Sequence, residues 1–289
     1  MGARDQLLGQ FPSLSPKLQA AARFVIDHPN EVVIVSMRAL AERAGAQPAT
    51  LVRLAQQLGY SGWPELKVAF AQDLGLQGER YVERARSLGS RGKGAELAAE
   101  LFAEQRHNLA TTEARCAASL RAAVQALRRA RAVHVAGFRA SHPIAYSLFY
   151  GYRLFRHSVH LIDGQAGGLE AQLRAIERQD ALVVASFAPY SRESMVVLEH
   201  AKSAGARIVA LTDSDASPLA LAADVALLFA VDSPSFFPSV AAAVALTEAL
   251  LEQLVVDAGQ SAVTQLGRVE QQLFESGAYL QQPARRAAG

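Results

Sequence analysis

Two stretches of this chain combine glycine, hydroxyl and arginine residues in an order suited to holding an anion. Gly137-Phe-Arg139-Ala-Ser141 follows the apolar run Ala132–Ala136, and Ser186-Phe-Ala-Pro-Tyr190-Ser191-Arg192-Glu193 follows the apolar run Ala181–Ala185. A glycine leaving a strand, with a hydroxyl residue where a helix begins, presents free amides and the positive end of a helix dipole. Gly137, Arg139, Ser141, Ser186, Tyr190, Ser191 and Arg192 are therefore candidate contacts for a small anionic effector. A third stretch suits a larger partner. Gln47, Ala49, Thr50 and Arg53 stand in the first turns of a helix that follows a short helix and Gly45. In a helix-turn-helix these positions meet base edges in the major groove, where Gln pairs with adenine, Arg with guanine, and a Thr methyl touches thymine.

Positioning these residues requires two kinds of architecture. Residues 15–80 read as short helices: one begins at Ser15-Pro16 and stops at His28-Pro29-Asn30, and Ser36 caps the next, Met37–Ala44. A third runs to Leu58 and a fourth follows Trp63-Pro64 through Leu66, Phe70 and Leu74. Leu40, Ala41, Leu51, Leu54 and Leu58 are the residues expected to hold the two helices of the reader together. A linker richer in Gly, Arg and Ser spans 75–94, and one or two long helices occupy 95–130. Beyond Arg131, short apolar runs at 132–136, 159–162, 181–185, 208–211 and 225–229 alternate with helical stretches, which predicts a parallel sheet covered on both faces. A helix at 239–257 closes this half, and the tail after Gln281 reads as disordered.

Both halves resemble known families. Arg38-Ala-Leu-Ala-Glu-Arg-Ala-Gly45, Pro48-Ala-Thr-Leu-Val-Arg-Leu54 and Leu58-Gly-Tyr-Ser-Gly-Trp-Pro-Glu-Leu-Lys67 resemble the helix-turn-helix domain of RpiR/MurR-type bacterial regulators. That resemblance adds Lys67 to the candidate DNA contacts and assigns Trp63 to packing. The second half resembles the SIS domain, the phosphosugar-binding fold that these regulators carry behind their reader. Gly137, Ser141, Ser186, Ser191 and Glu193 match its two loops, as does Gly205-Ala-Arg-Ile-Val-Ala-Leu-Thr212. Two departures stand out: Arg139 occupies a loop position where the family has glycine, and Ala188-Pro189 replaces a Ser-Gly pair. Arg139 and Arg192 have a competing reading, an ion pair with Glu193 or Asp213.

The expected architecture is an all-α helix-turn-helix domain (1–77), a linker with bridging helices (78–119), an α/β flavodoxin-like SIS domain (120–260) and a C-terminal helix and tail (261–289). The length of 289 residues suits two domains. The resemblance implies a homodimer or homotetramer that binds operator DNA and senses a phosphosugar-like anion, with no catalytic role and no cofactor, and the single cysteine suits a reducing cytoplasm. The alternative is a sugar-phosphate isomerase with an added helical domain, for which Glu193 or His142 would supply the base. A sole cysteine, Cys116, excludes an internal disulfide and reads as a buried helix residue. His134, His142, His157 and His160 lack carboxylate or Cys partners at metal-ligand spacing. Gly164–Gly168 lacks the lysine of a phosphate-binding loop, Asp213 and Asp215 read as a capping loop, and the glycines after Gly137 do not follow a dinucleotide fingerprint. No apolar run reaches a membrane span, and no secretory segment is expected at the N-terminus.

The formal net charge of +2 conceals an asymmetry. Residues 81–131 hold ten Lys and Arg against five Asp and Glu, whereas residues 132–289 hold eleven against fifteen. Positive excess thus lies on the bridge between the halves, where it can meet DNA or an acidic neighbour.

Overall fold

The computed structural model describes residues 2–73, 81–91 and 94–280. The expectations for Leu74, for much of the 75–94 linker and for the tail from residue 281 lie outside the described residues.

Six helices build the front half: α1 (Ala3–Gln10), α2 (Pro16–Asp27), α3 (Pro29–Ile34), α4 (Met37–Arg43), α5 (Pro48–Gln57) and α6 (Trp63–Asp73). Two of them escape the sequence reading. Helix α1 has almost no amphipathic pattern, and only Ala3 and Leu7 are buried. Pro29 does not merely end α2; it stands at the first turn of α3, where a missing amide hydrogen costs nothing. Ser36 caps α4 as expected, its hydroxyl accepting from the Ala39 amide at 3.2 Å. Gly45 turns the chain at φ +61°. The Gly45 and Ala46 amides then donate back to the Glu42 and Ala41 carbonyls at 3.1 and 2.8 Å, a paired closure that fixes the angle at which α5 departs. Leu40, Ala41, Leu51, Leu54, Leu58 and Trp63 all lie in one buried cluster.

Helix α7 (Tyr81–Arg91) leads to α8 (Ala95–Arg129), a single helix of 35 residues about 52 Å long at 1.5 Å per residue. The back half continues with β1 (Val133–Gly137), α9 (His142–Arg153), β2 (Val159–Ile162), α10 (Leu169–Arg174), β3 (Ala181–Ala185), α11 (Arg192–Ala204), β4 (Arg207–Thr212), α12 (Pro218–Ala222), β5 (Val225–Leu228), α13 (Ala241–Ala258) and α14 (Gln260–Glu275). All strands are parallel, in the order β2-β1-β3-β4-β5. Every residue of β1 and β3 is buried, which explains the unbroken apolar run of β3 and the mostly apolar run of β1, interrupted only by His134. Side chains of α8, α9 and α13 pack on one face, and those of α10, α11 and α12 on the other.

The expected domain break at residue 120 falls inside α8. Cys116, Leu120, Ala123, Val124 and Leu127 from this helix belong to the core under the sheet, so the second half of the bridge is part of the back domain. Part of the bridge's positive charge is paired there. Arg115 pairs with Asp215 at 3.6 Å, Arg128 with Asp257 at 3.5 Å, and Arg131 with Asp180 at 3.0 Å. Arg84 and Arg91 of α7 donate to the Ser233 and Pro234 carbonyls.

Candidate nucleic-acid interface and effector site

The order of the sheet reverses between β1 and β3, and in such sheets ligands bind beyond the carboxyl ends of the strands at that reversal. Both candidate anion loops lie there, one after β1 and one after β3. Gly137 lets them form. A Cβ at this position would stand 2.6 Å from the Ser141 carbonyl oxygen and 2.7 Å from the Ala145 Cβ, so only glycine allows α9 to start this close to the strand.

The loop after β3 is knitted by its own hydroxyls. Ser186 Oγ accepts from the Ser191 amide at 3.4 Å, while Ser191 Oγ accepts from the Ser194 amide at 3.1 Å and donates to Ser194 Oγ at 2.8 Å. Ser141, Ser186 and Ser191 are all buried. Of the three, Ser141 alone makes no side-chain hydrogen bond among the described residues. Asp213, at the end of β4, completes the knot by accepting from the Tyr190 hydroxyl at 2.8 Å and from the Ala188 amide at 3.2 Å. Burial, followed by the Asp213 charge and this hydrogen bond, pushes the Tyr190 phenol far above its ordinary range, so it remains a neutral donor. The sequence reading gave Asp213 a capping role or an ion pair with an arginine, not this one; its position straight after a strand end was the available signal. Helix α12 is in fact capped by Ser217, which accepts from Ala220.

The two arginines part company. Arg139 adopts the left-handed conformation at φ +53° and grips Glu193 with both arms of its guanidinium, Nη2 to Oε1 at 2.7 Å and Nε to Oε2 at 3.4 Å. Hydrogen bonding from Arg139 holds the Glu193 carboxyl below its ordinary range. Arg192, the neighbour of Glu193 in sequence, is exposed and forms no ion pair among the described residues. Of the ion pairs open to the sequence reading, Arg139 to Glu193 is the one present among the described residues.

The fold gives His134 a carboxylate partner that sequence spacing did not show: Nε2 lies 3.1 Å from Asp180 Oδ2, with Arg131 on the same carboxylate. His160, paired with His134 in the sheet register, has its ring 5.4 Å away. This cluster sits toward the amino ends of the strands, far along the sheet from the loops. His157 instead lies 2.9 Å from the Gln265 amide, and the His142 ring lies 5.9 Å from Tyr146. Among the described residues no three His, Cys, Asp or Glu gather around a common point, and no helix is long and apolar enough to cross a membrane.

On the front half, Gln47, Ala49 and Arg53 are exposed, and Arg53 makes no hydrogen bond or ion pair among the described residues. Gln47 holds the N-cap position of α5 without using its side chain as a cap. Gln56, one turn beyond Arg53, is exposed on the same face, a candidate that helical spacing alone could have found. Two expected contacts point elsewhere. Thr50 is 5% exposed and packs within the helical core, because position 50 falls on the face shared with Leu51 and Leu54. Lys67 is half-buried and donates from Nζ to the Val35 carbonyl at 3.0 Å, and desolvation lowers its pKa. Its ammonium thus satisfies a carbonyl at the end of α3 and ties α6 to the chain entering α4. Arg43, at the end of α4, pairs with Glu31 and with Glu199 of α11.

Comparison with known proteins matches both halves. The model described as a helix-turn-helix domain of the rpiR family matches residues 5–77, and the SIS domain model matches residues 126–255. The chain is similar to the HTH-type transcriptional regulator HexR of Pseudomonas aeruginosa, with 28% identity over 229 residues that cover 77% of each chain. Among solved structures it resembles the sugar isomerase domain of an RpiR transcription factor from Sphaerobacter thermophilus, at 26% identity and a TM-score of 0.58, covering 61% of this chain and 99% of that one. It shares a fold with the Vibrio vulnificus NanR protein complexed with ManNAc-6P, at 20% identity and a TM-score of 0.55, over 96% and 100% of the two chains.

Proposed function

Because the chain belongs to the RpiR family of transcriptional regulators, with a helix-turn-helix in front of a SIS domain, we propose that it binds operator DNA through α5 and senses a small anionic metabolite at the β1–β3 reversal. The observation that carries the DNA half is the exposed face of α5, where Gln47, Ala49 and Arg53 project from a helix whose opposite face is wholly buried. The effector is a phosphorylated sugar or a related sugar acid, the class to which the NanR ligand belongs. Its support here is the placement of both loops at the reversal, with Ser141 free to donate.

The front half carries nearly balanced charge, with eight Lys and Arg against seven Asp and Glu in residues 1–80. One copy therefore neutralises few phosphates, and a dimer that presents two α5 helices to successive major grooves supplies the rest. The effector acts by binding one arrangement of the paired chains better than another, which changes the spacing of the two readers. An isomerase needs a carboxylate or imidazole free to take a proton; Glu193, one of the two bases considered for that reading, is committed to Arg139 and held in its ionised form.

Footprinting on DNA upstream of the protein's own gene at physiological salt tests the first half. Specific protection that disappears in Arg53→Ala supports the reading, and its absence in the unaltered protein overturns it. A thermal-shift panel of phosphorylated sugars and sugar acids tests the second, with at least one compound expected to raise the melting temperature.

A further inference from the structure

A non-glycine residue held in the left-handed region persists only where its surroundings over-determine it, and Arg139 is such a residue at φ +53°. What holds it is the two-armed contact with Glu193. This contact spans the reversal, because Arg139 belongs to the loop after β1 and Glu193 to the first turn of α11 after β3. The side chain of Arg139 is nevertheless 73% exposed, so the guanidinium lies over the loops rather than under them. The planar fork that takes a carboxylate in this geometry takes a phosphate or a ligand carboxylate equally well.

We propose that Glu193 is an internal stand-in for the effector's anionic group, and that Arg139 is the specificity-determining residue that exchanges one for the other. The inference rests on the effector site argued above and adds how that site is gated. The Arg139–Glu193 pair ties the two loops together. An incoming anion must displace the Glu193 carboxylate from the fork, so a neutral sugar cannot open the pair and a weakly charged ligand opens it poorly. The apparent affinity is lowered by the fraction of molecules in which the pair is closed, which sets a threshold concentration for sensing. Once displaced, Glu193 faces a bound anion from the start of α11, and the repulsion is relieved by movement of that helix end. Arg192 next to it is exposed and available as a partner for the released carboxylate.

A double-mutant cycle read by calorimetry separates gating from simple charge proximity. The probes are inorganic phosphate and glucose 6-phosphate, with glucose as the neutral control. Glu193→Gln keeps the shape of the side chain but frees the fork, and is expected to tighten binding of the anionic probes at least about threefold without creating glucose binding. Arg139→Gly, which suits the positive φ, is expected to weaken binding of both probes. The deciding comparison is Glu193→Gln in the Arg139→Gly background, where the gain should vanish. An equal gain in both backgrounds shows that Glu193 acts only as a nearby charge and overturns the exchange. Equal affinity of the unaltered protein and Glu193→Gln overturns it while leaving the effector site intact. If no anionic probe binds any variant, nor any compound of the phosphosugar panel the unaltered protein, both the exchange and the site beneath it fail.

Discussion

The two candidate sites are built on opposite terms. On α5 the outward residues are uncommitted: among the described residues Arg53 makes no hydrogen bond or ion pair, and Gln47 leaves its cap role unused. Around the β1–β3 reversal almost every polar group already has a partner, from Ser186 and Ser191 to Tyr190 with Asp213 and Arg139 with Glu193. A rigid duplex can organise loose side chains on a flat face, because many contacts share the ordering cost. A small molecule offers few contacts, so its site must be ordered beforehand. Damage should accordingly fall on stability in the back half and on affinity in the front.

The largest expected effect is at Gly137. Alanine there would overlap a backbone carbonyl that cannot swing away, costing roughly 2–3 kcal/mol in urea unfolding; a stable variant would mean that the loop is not knitted as described. Next comes Asp180→Asn, at about 2 kcal/mol, since it weakens the contacts with Arg131 and His134. Burial alone would raise the Asp180 carboxyl, but hydrogen bonds from Arg131, the Glu177 amide and His134 outweigh it and hold it below its ordinary value. The unfolded chain then takes up its proton first as pH falls. This stabilisation is complete at neutral pH and is lost below about pH 4, and the asparagine variant should show a shallower acid slope. Its effector binding should not change, because the damage lies at the other end of the strands.

Two front-half variants sharpen the comparison further. Arg53→Ala should weaken operator binding about tenfold with an unchanged melting temperature. Lys67→Met should do the reverse, losing about 1 kcal/mol of stability as the Val35 carbonyl goes unpaired, with the salt dependence of DNA binding unaltered. A Lys67 variant that lost salt dependence would return this residue to the DNA face.

Lys67 also marks where sequence reading stops. Local signals located the strands, the cap at Ser36 and the buried set from Leu40 to Leu58, because apolar runs, N-caps and helical spacing are properties of a few neighbouring residues. The direction of the Lys67 side chain depends on where α3 ends, 32 positions away, and α3 itself hid behind a proline that reads as a stop. Asp180 is 46 positions from His134, and no local pattern links them. Helix position carried Thr50, and the resemblance Lys67, as DNA contacts, yet one packs inward and the other is bonded to backbone. In the same way, the alternatives left open for Arg139 were separable only once the fold brought the two loops together.

The unbroken run of α8 decides what counts as the portable sensor. Thr112 Oγ1 accepts the buried amide of Ala230 at 3.0 Å, and Asn108 Nδ2 donates to the Asp232 carbonyl at 2.7 Å, both from turns ahead of the region that matches the SIS family. A transplant that begins at the family boundary would strip these partners from the end of β5 and leave its apolar side wet. The unit that could be grafted behind a different reader begins where the helix begins, at Ala95. The same shaft is therefore both the wall of the sensor and its handle.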